Sequence, residues 1–237
     1  MAGAGDVPPL PALAAAAASR CGARRDVNED AYLALTERGL FCVADGMGGH
    51  ADGQLASLSV IRILERMVGT GPLEERVTTV ERSLHRINTA LRNEAAKGGL
   101  SSIIGATVVA LIVDADYAVC VWAGDSRCYL LRDEHLFQIS RDHGAAHAPE
   151  QRRTNVVTRA IGSGATLELD RAVVEIEAGD SFLLCSDGVS DYLSADDILA
   201  CLAGPFEHAT AELVAAAVEA GSRDDVTAVL VRVDGAV

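Results

Sequence analysis

The sequence predicts an α+β fold, a sandwich of packed sheets with helices laid outside them. Two patterns lead there. Short β-type runs are joined by links of a few residues, such as "DAD" at Asp114 to Asp116 and "RDEH" at Arg132 to His135. Links that short permit hairpins but not crossovers, so much of the sheet structure is expected to be antiparallel. Elsewhere, long stretches repeat apolar residues at helical spacing, and each such stripe needs a sheet face to cover.

In chain order, residues 1 to about 12, with Pro8, Pro9 and Pro11, read as a loose tail. The low-complexity segment "LPALAAAAAS", Leu10 to Ser19, lacks a basic leader and is too short to span a bilayer, so neither a signal peptide nor a membrane anchor is expected. β-type runs follow at Ala31–Leu35, Gly39–Ala44, Ala106–Val113, Tyr117–Ala123, Cys128–Leu131, Ala172–Ile176, Ser181–Cys185 and Val226–Val233. Helical periodicity covers Gly53 to Val68 through Leu55, Leu58, Ile61 and Leu64, and Leu73 to Ala96 through Val77, Val80, Leu84, Ile87 and Leu91. Two further helices fit "SADDILACL", with Ser194 as N-cap, and "EHATAELVAAAVEAG", closed by Gly221. No repeat or linker interrupts the series, so a single domain over residues 1–237 is expected.

The charge excludes some partners. With 20 basic and 34 acidic residues the formal charge is −14, which repels a nucleic-acid backbone or an anionic membrane surface. The six cysteines, Cys21, Cys42, Cys120, Cys128, Cys185 and Cys201, are scattered singly with no CxxC pair. They read as reduced thiols of a cytoplasmic protein, not as a disulfide frame or zinc site.

The chemistry lies in where the carboxylates fall. Asp45 ends "GLFCVAD", Asp125 ends "YAVCVWAGD", Asp187 ends "SFLLCSD", and Asp224 with Asp225 immediately precedes "VTAVLVRV". Any one of these reads as a turn residue, since Asp-Gly is a common turn dipeptide. Together they point elsewhere, because strands of one sandwich bring their ends to one rim, where several carboxylates repel each other unless a cation sits among them. Oxygen-only ligation suits Mg²⁺ or Mn²⁺. Upstream, "RRDVNEDAY" sets Arg24 and Arg25 beside Glu29 and Asp30, and a planar guanidinium suits a phosphate or carboxylate. A solvated surface loop is the plainer account of that segment. "GMGGHA", Gly46 to Ala51, also fits a dinucleotide fingerprint with Glu65 as the ribose acid, but Glu65 falls inside a helical pattern and Asp45 would face the pyrophosphate.

Taken in order, "RRDVNED", "VADGMGGHADGQLAS", "GATVVALIV", "WAGDSR", "LLCSDGVSD" and "SRDDVTAVLV" resemble the metal-dependent Ser/Thr protein phosphatases of the type 2C class in their bacterial form, over about residues 18 to 233. The resemblance implies an α-β-β-α four-layer sandwich, two mainly antiparallel sheets flanked by helix pairs. It implies a binuclear Mn²⁺ or Mg²⁺ centre at which a metal-activated bridging water hydrolyses phosphoserine and phosphothreonine. On that resemblance Asp45 bridges the two metals, Gly46 offers its carbonyl to one, Asp187 and Asp224 ligate the other, and Glu29 and Asp30 act through water. Arg25 grips the substrate phosphate, and Asp125 helps to bind a third, weaker ion. Asp225 stands where the family usually has Asn. Met47 stands where the animal enzymes have a His, and the nearest His is His50. The flap region from Asp142 to Arg159 is shortened, as in the phosphatases that accompany type VI secretion systems. The implied partners are phosphorylated Ser/Thr proteins and a cognate Ser/Thr kinase, with the chain a monomer. A phosphatase-fold module that only binds phosphoproteins is the alternative, and the full set of acids speaks against it.

Overall fold

The β-type runs become strands in the computed structural model, which describes residues 10–23, 25–49, 51–98, 103–144 and 159–235. The chain runs β1 (Leu13–Arg20), β2 (Asp30–Leu35), β3 (Leu40–Met47), α1 (Ala51–Met67) and α2 (Leu73–Ala95). It continues through β4 (Gly105–Ala106), β5 (Val108–Val113), β6 (Tyr117–Ala123), β7 (Arg127–Arg132), β8 (His135–Gln138) and β9 (Asp170–Glu175). It closes with β10 (Ser181–Cys185), α3 (Asp187–Ser190), α4 (Ala195–Leu202), α5 (Phe206–Glu219) and β11 (Val226–Val233).

These strands form two sheets, one ordered β1-β11-β10-β7-β8 and the other β2-β3-β5-β6-β9, with β4 paired to β3. All the pairings are antiparallel. Period-two alternation makes the layers. Phe41, Val43, Val109, Leu111 and Trp122 meet Leu130, Phe182, Leu184, Val229 and Val231 between the sheets. Leu40, Cys42, Val108 and Ile112 face outward to Val60, Leu64, Val80 and Leu84 of α1 and α2. On the other side Leu183, Cys185 and Leu230 pack with Val189, Ile198 and Leu213 of α3, α4 and α5. This is the four-layer α-β-β-α sandwich, and its antiparallel strands leave no βαβ unit for a dinucleotide site among the described residues, while Glu65 sits exposed within α1.

Two strands escape the sequence pattern. β1 occupies the Ala-rich segment, where consecutive alanines show no alternation, and it is held at a sheet edge by a full antiparallel register from Leu13↔Val233 to Arg20↔Val226. Residues 10–12, counted with the tail in the sequence, are tied in as well: Ala12 exchanges backbone hydrogen bonds with Asp234 and Gly235. β8 completes a hairpin whose turn residues Asp133 and Glu134 both take positive φ, 50° and 62°, a geometry usually signalled by Asn-Gly. Ser194 does cap α4, in a full capping box with Asp197.

Buried Arg76 fastens α2 to the second sheet. It is 4% exposed. Nη1 donates to the Val113 carbonyl at 3.0 Å, and Nη2 to the carbonyls of Gly39, at 3.1 Å, and Arg38. Arg76→Met keeps the aliphatic stem but leaves those acceptors dry, so the unfolding free energy in urea is expected to fall by about 2–4 kcal/mol.

Candidate metal centre

Strand parity aims Asp45. It lies two residues beyond Val43 and four beyond Phe41, on the face of β3 that looks between the sheets. In the β2–β3 register Asp30 stands directly opposite it. Directly opposed side chains sit about 5 Å apart, and at an effective dielectric of about 20 two full charges there repel by about 3 kcal/mol. β3 runs two residues past Asp45, so the expected strand end and turn lie further on, at Gly48 and Gly49, with φ of 133° and 85°. Gly46 serves close approach, not turning. A Cβ there would strike the Gly53 and Glu29 backbone, and Gly53 in turn lies against the Glu29 carboxylate.

The other acids arrive from the first sheet. Asp187 opens α3 directly after β10, and Ser186, its fully buried N-cap residue, donates from Oγ to Asp30 Oδ2 at 2.8 Å. Ser186 also exchanges hydrogen bonds with Thr227 at the start of β11, accepting at Oγ from Thr227 N at 3.0 Å. Those contacts lock the segments bearing Asp30, Asp187 and Asp224 together. Asp125 sits in the loop from β6 to β7. Neighbouring Ser126 pairs with Thr107 through their hydroxyls at 2.7 Å, and Thr107 Oγ1 accepts from Asp45 N at 3.2 Å. A bidentate Arg127–Asp142 pair and His143, whose N donates to the Gly124 carbonyl, brace the same loop.

Arg25 is drawn into the cluster. Its guanidinium contacts Glu29 Oε1 at 2.9 Å and Asp224 Oδ1 at 2.6 Å while remaining about a third exposed. Burial works against its charge, but the neighbouring Asp224, Glu29 and Asp225 raise its pKa above the ordinary value. Asp225 is buried, and both its oxygens are engaged by backbone: Oδ1 accepts from Gly22 N at 2.8 Å and Oδ2 from Glu29 N at 2.7 Å. The extra oxygen relative to Asn therefore clamps both ends of the loop that carries Arg25.

The acids feel one another strongly. Burial, then the charges of Asp30, Asp187, Asp125 and Asp224, hold Asp45 well above the usual carboxylate range. Burial, and then Asp125, Asp224, Asp191 and Asp30, push Asp187 up to about 7. Asp30 also rises to about 7, through burial and the nearby Asp225 and Asp224, despite hydrogen bonds from Thr227 and Ser186. Asp125 rises chiefly by burial. Among the described residues no three His, Cys, Asp or Glu side chains close on a single ion position. The fit to a cationic centre rests instead on this shared field and on Asp30 Oδ1, which is buried with no hydrogen-bond partner among the described residues. The donors are oxygens, as Mg²⁺ or Mn²⁺ requires.

The structure thus brings Arg25, Glu29, Asp30, Asp45, Asp125, Asp187 and Asp224 into one interacting group. It adds Thr107, Ser126, Ser186, Thr227 and the clamp role of Asp225, all inside conspicuous motifs but readable only from contacts across the chain. Met47 ends β3, beside Gly105. Arg24, His50 and flap residues 145–158 lie outside the described residues.

A family model described as protein phosphatase 2C matches residues 19–231. The chain is 34% identical to the serine/threonine protein phosphatase PstP of Mycobacterium tuberculosis, an alignment covering 91% of this chain and 44% of PstP, so the chain spans less than half of that relative's length. It is 31% identical to the serine/threonine phosphatase stp of Listeria welshimeri, covering 80% of this chain and 82% of stp. Among solved structures, PppA, described as a key regulatory component of T6SS in Pseudomonas aeruginosa, superposes with a TM-score of 0.89 at 39% identity over 94% of this chain and 98% of that one. The PstP catalytic domain in complex with two manganese ions superposes at 0.79 with 33% identity, over 93% and 97%.

With pKa values pushed up to about 7, Asp30 and Asp187 bind protons more tightly in the fold than in the unfolded chain, which releases them near pH 4. Their contribution to stability is therefore greatest below that value and is lost as pH rises from about 4 to about 7. In urea titrations, the gap between Mn²⁺-loaded and EDTA-treated midpoints is expected to widen from about pH 5 to about pH 7, as metal replaces protons. Asp225→Asn, which can accept only one of the two backbone donors, is expected to lower the unfolding free energy by about 1–2 kcal/mol in the same assay.

Proposed function

Because the chain belongs to the protein phosphatase 2C family, we propose that it hydrolyses phosphoserine and phosphothreonine in proteins at a binuclear Mn²⁺ or Mg²⁺ centre. The observation that carries this is the facing Asp30–Asp45 pair set within the field of Asp125, Asp187 and Asp224, with Arg25 at its edge. Asp45 would bridge the two ions, Gly46 would offer its carbonyl, Asp187 and Asp224 would be further ligands, Glu29 and Asp30 would act through water, and Asp125 would serve a third ion. When bound, such a pair of ions lowers the pKa of water so that hydroxide is available near neutral pH.

The chain's own groups orient the substrate. Arg25 presents a fork of N–H donors that can exchange its carboxylate partners for phosphoryl oxygens, and the Asp225 clamp fixes the loop from which it reaches. Ser186 and Thr227 keep Asp30 in place beside the ligand set. A cysteine nucleophile has no support: burial raises Cys42 and holds Cys185 up at about 12, and the partly exposed Cys21 and Cys201 are raised too. The same proposal takes the chain as one catalytic domain, monomeric and cytoplasmic, opposing a Ser/Thr kinase. No described helix is long and apolar enough to cross a membrane. The likeness to PppA supports a regulatory role of the kind described for that protein.

Turnover of a phosphothreonine peptide with Mn²⁺ tests this directly. EDTA is expected to abolish it, Asp187→Asn to lower kcat/KM by at least about 100-fold, and Arg25→Ala to raise KM about tenfold. Undiminished turnover in EDTA or in Asp187→Asn would sink the mechanism.

A further inference from the structure

On the outer surface, α1 and α2 flank a groove of about 370 Å³. Arg62 and Arg66 of α1 and Arg86 of α2 line it, over a floor of Ile63, Ile87 and Met67. Ile63 and Ile87 are half-buried against the helix-side core, and Met67 is 47% exposed. Arg38, Arg76, Arg127, Arg132, Arg159, Arg171 and Arg232 are each paired with a carboxylate or carbonyl. The three groove arginines form no ion pair or side-chain hydrogen bond among the described residues. Three unmatched cations around an apolar floor, in a chain of formal charge −14, are complementary to an acidic segment with large apolar side chains.

The groove also has a fixed relation to the metal centre. α1 starts at Ala51, and Gly53 in its first turn lies against Gly46 and Glu29. At 1.5 Å per residue, Arg62 to Met67 lie roughly 16–24 Å along the helix from that end. A flexible link of about ten residues spans ~17 Å.

We propose that this groove docks an acidic, Leu-like-rich segment of the phosphoprotein substrate, flanking the phosphorylated residue. Its docking raises the effective concentration of the phosphate at the metal centre. This rests on the phosphatase reading, and three probes separate the two. They are a short phosphothreonine peptide, the same peptide joined through about ten Gly/Ser residues to an alternating Glu-Leu segment, and a fluorescein-labelled, unphosphorylated Glu-Leu segment.

With Mn²⁺, the joined substrate is expected to show a KM about five- to tenfold below that of the short peptide at equal kcat. The Arg62→Ser/Arg86→Ser variant loses that gain while keeping its KM for the short peptide. The labelled segment binds the unmutated chain by anisotropy, more weakly as salt rises, and not the variant. No gain from the joined segment, a gain that survives in the variant, or equal gain from a Glu-Ser segment overturns the docking proposal. Anisotropic binding without hydrolysis of either phosphopeptide overturns the phosphatase reading, and with it the identity of the occupant as a substrate.

Discussion

The molecule is organised around a repulsion it cannot escape. The β2–β3 register sets Asp30 opposite Asp45, and a slip of one residue would turn Phe41 and Val43 out of the inter-sheet core. Burying a side chain of that size stabilises by about 1.5–3 kcal/mol, so two of them outweigh the few kcal/mol by which two facing carboxylates repel. The apolar pattern therefore decides where the charges go. Protonation relieves the strain in part, as the raised Asp30, Asp45 and Asp187 indicate, and a divalent cation relieves it while leaving the oxygens charged.

Holding such a cluster demands neutral and backbone donors more than counter-charges. Ser186, Thr227, Thr107 and Ser126 are buried hydroxyl residues joining the acid-bearing segments of both sheets. Hydroxyls can donate to a carboxylate without cancelling its charge, as a fixed cation would. Arg25 is the exception, and it remains about a third exposed at the edge, where its guanidinium can change partners. Asp225 follows the same logic from the acid side: its charge is spent on two backbone N–H groups, and so organises the loop without adding to the ligand set.

Fold class and most acids were legible in the sequence because both are local patterns. A strand of alternating apolar residues announces itself within eight residues, and an acid at its end is visible beside it. The roles that depend on closure were not. Gly22 and Glu29 lie 203 and 196 residues from Asp225, and nothing near "SRDD" marks the second acid of the motif as a brace. Gly46 read as a turn because glycine after aspartate usually is one; the structure uses it for the approach of α1 to β3. β1 was hidden for the opposite reason. Alanine carries too little side chain to show which face is apolar, and only pairing with β11 defines its sides.

That hidden strand governs the site. β1 ends at Arg20, opposite Val226, so the pairing of β1 with β11 delivers the loop bearing Arg25 and Glu29 directly onto Asp224 and Asp225. No local stretch can build this half of the centre, because its two strands are separated by almost the whole chain and must close that loop before any contact rewards them. The edge position of β1 is accordingly reinforced from outside: α5 packs over β1 and β11 together, with Ala18 against the helix-side core. The pairing of β1 with β11 is thus what brings Arg25 to face the carboxylates.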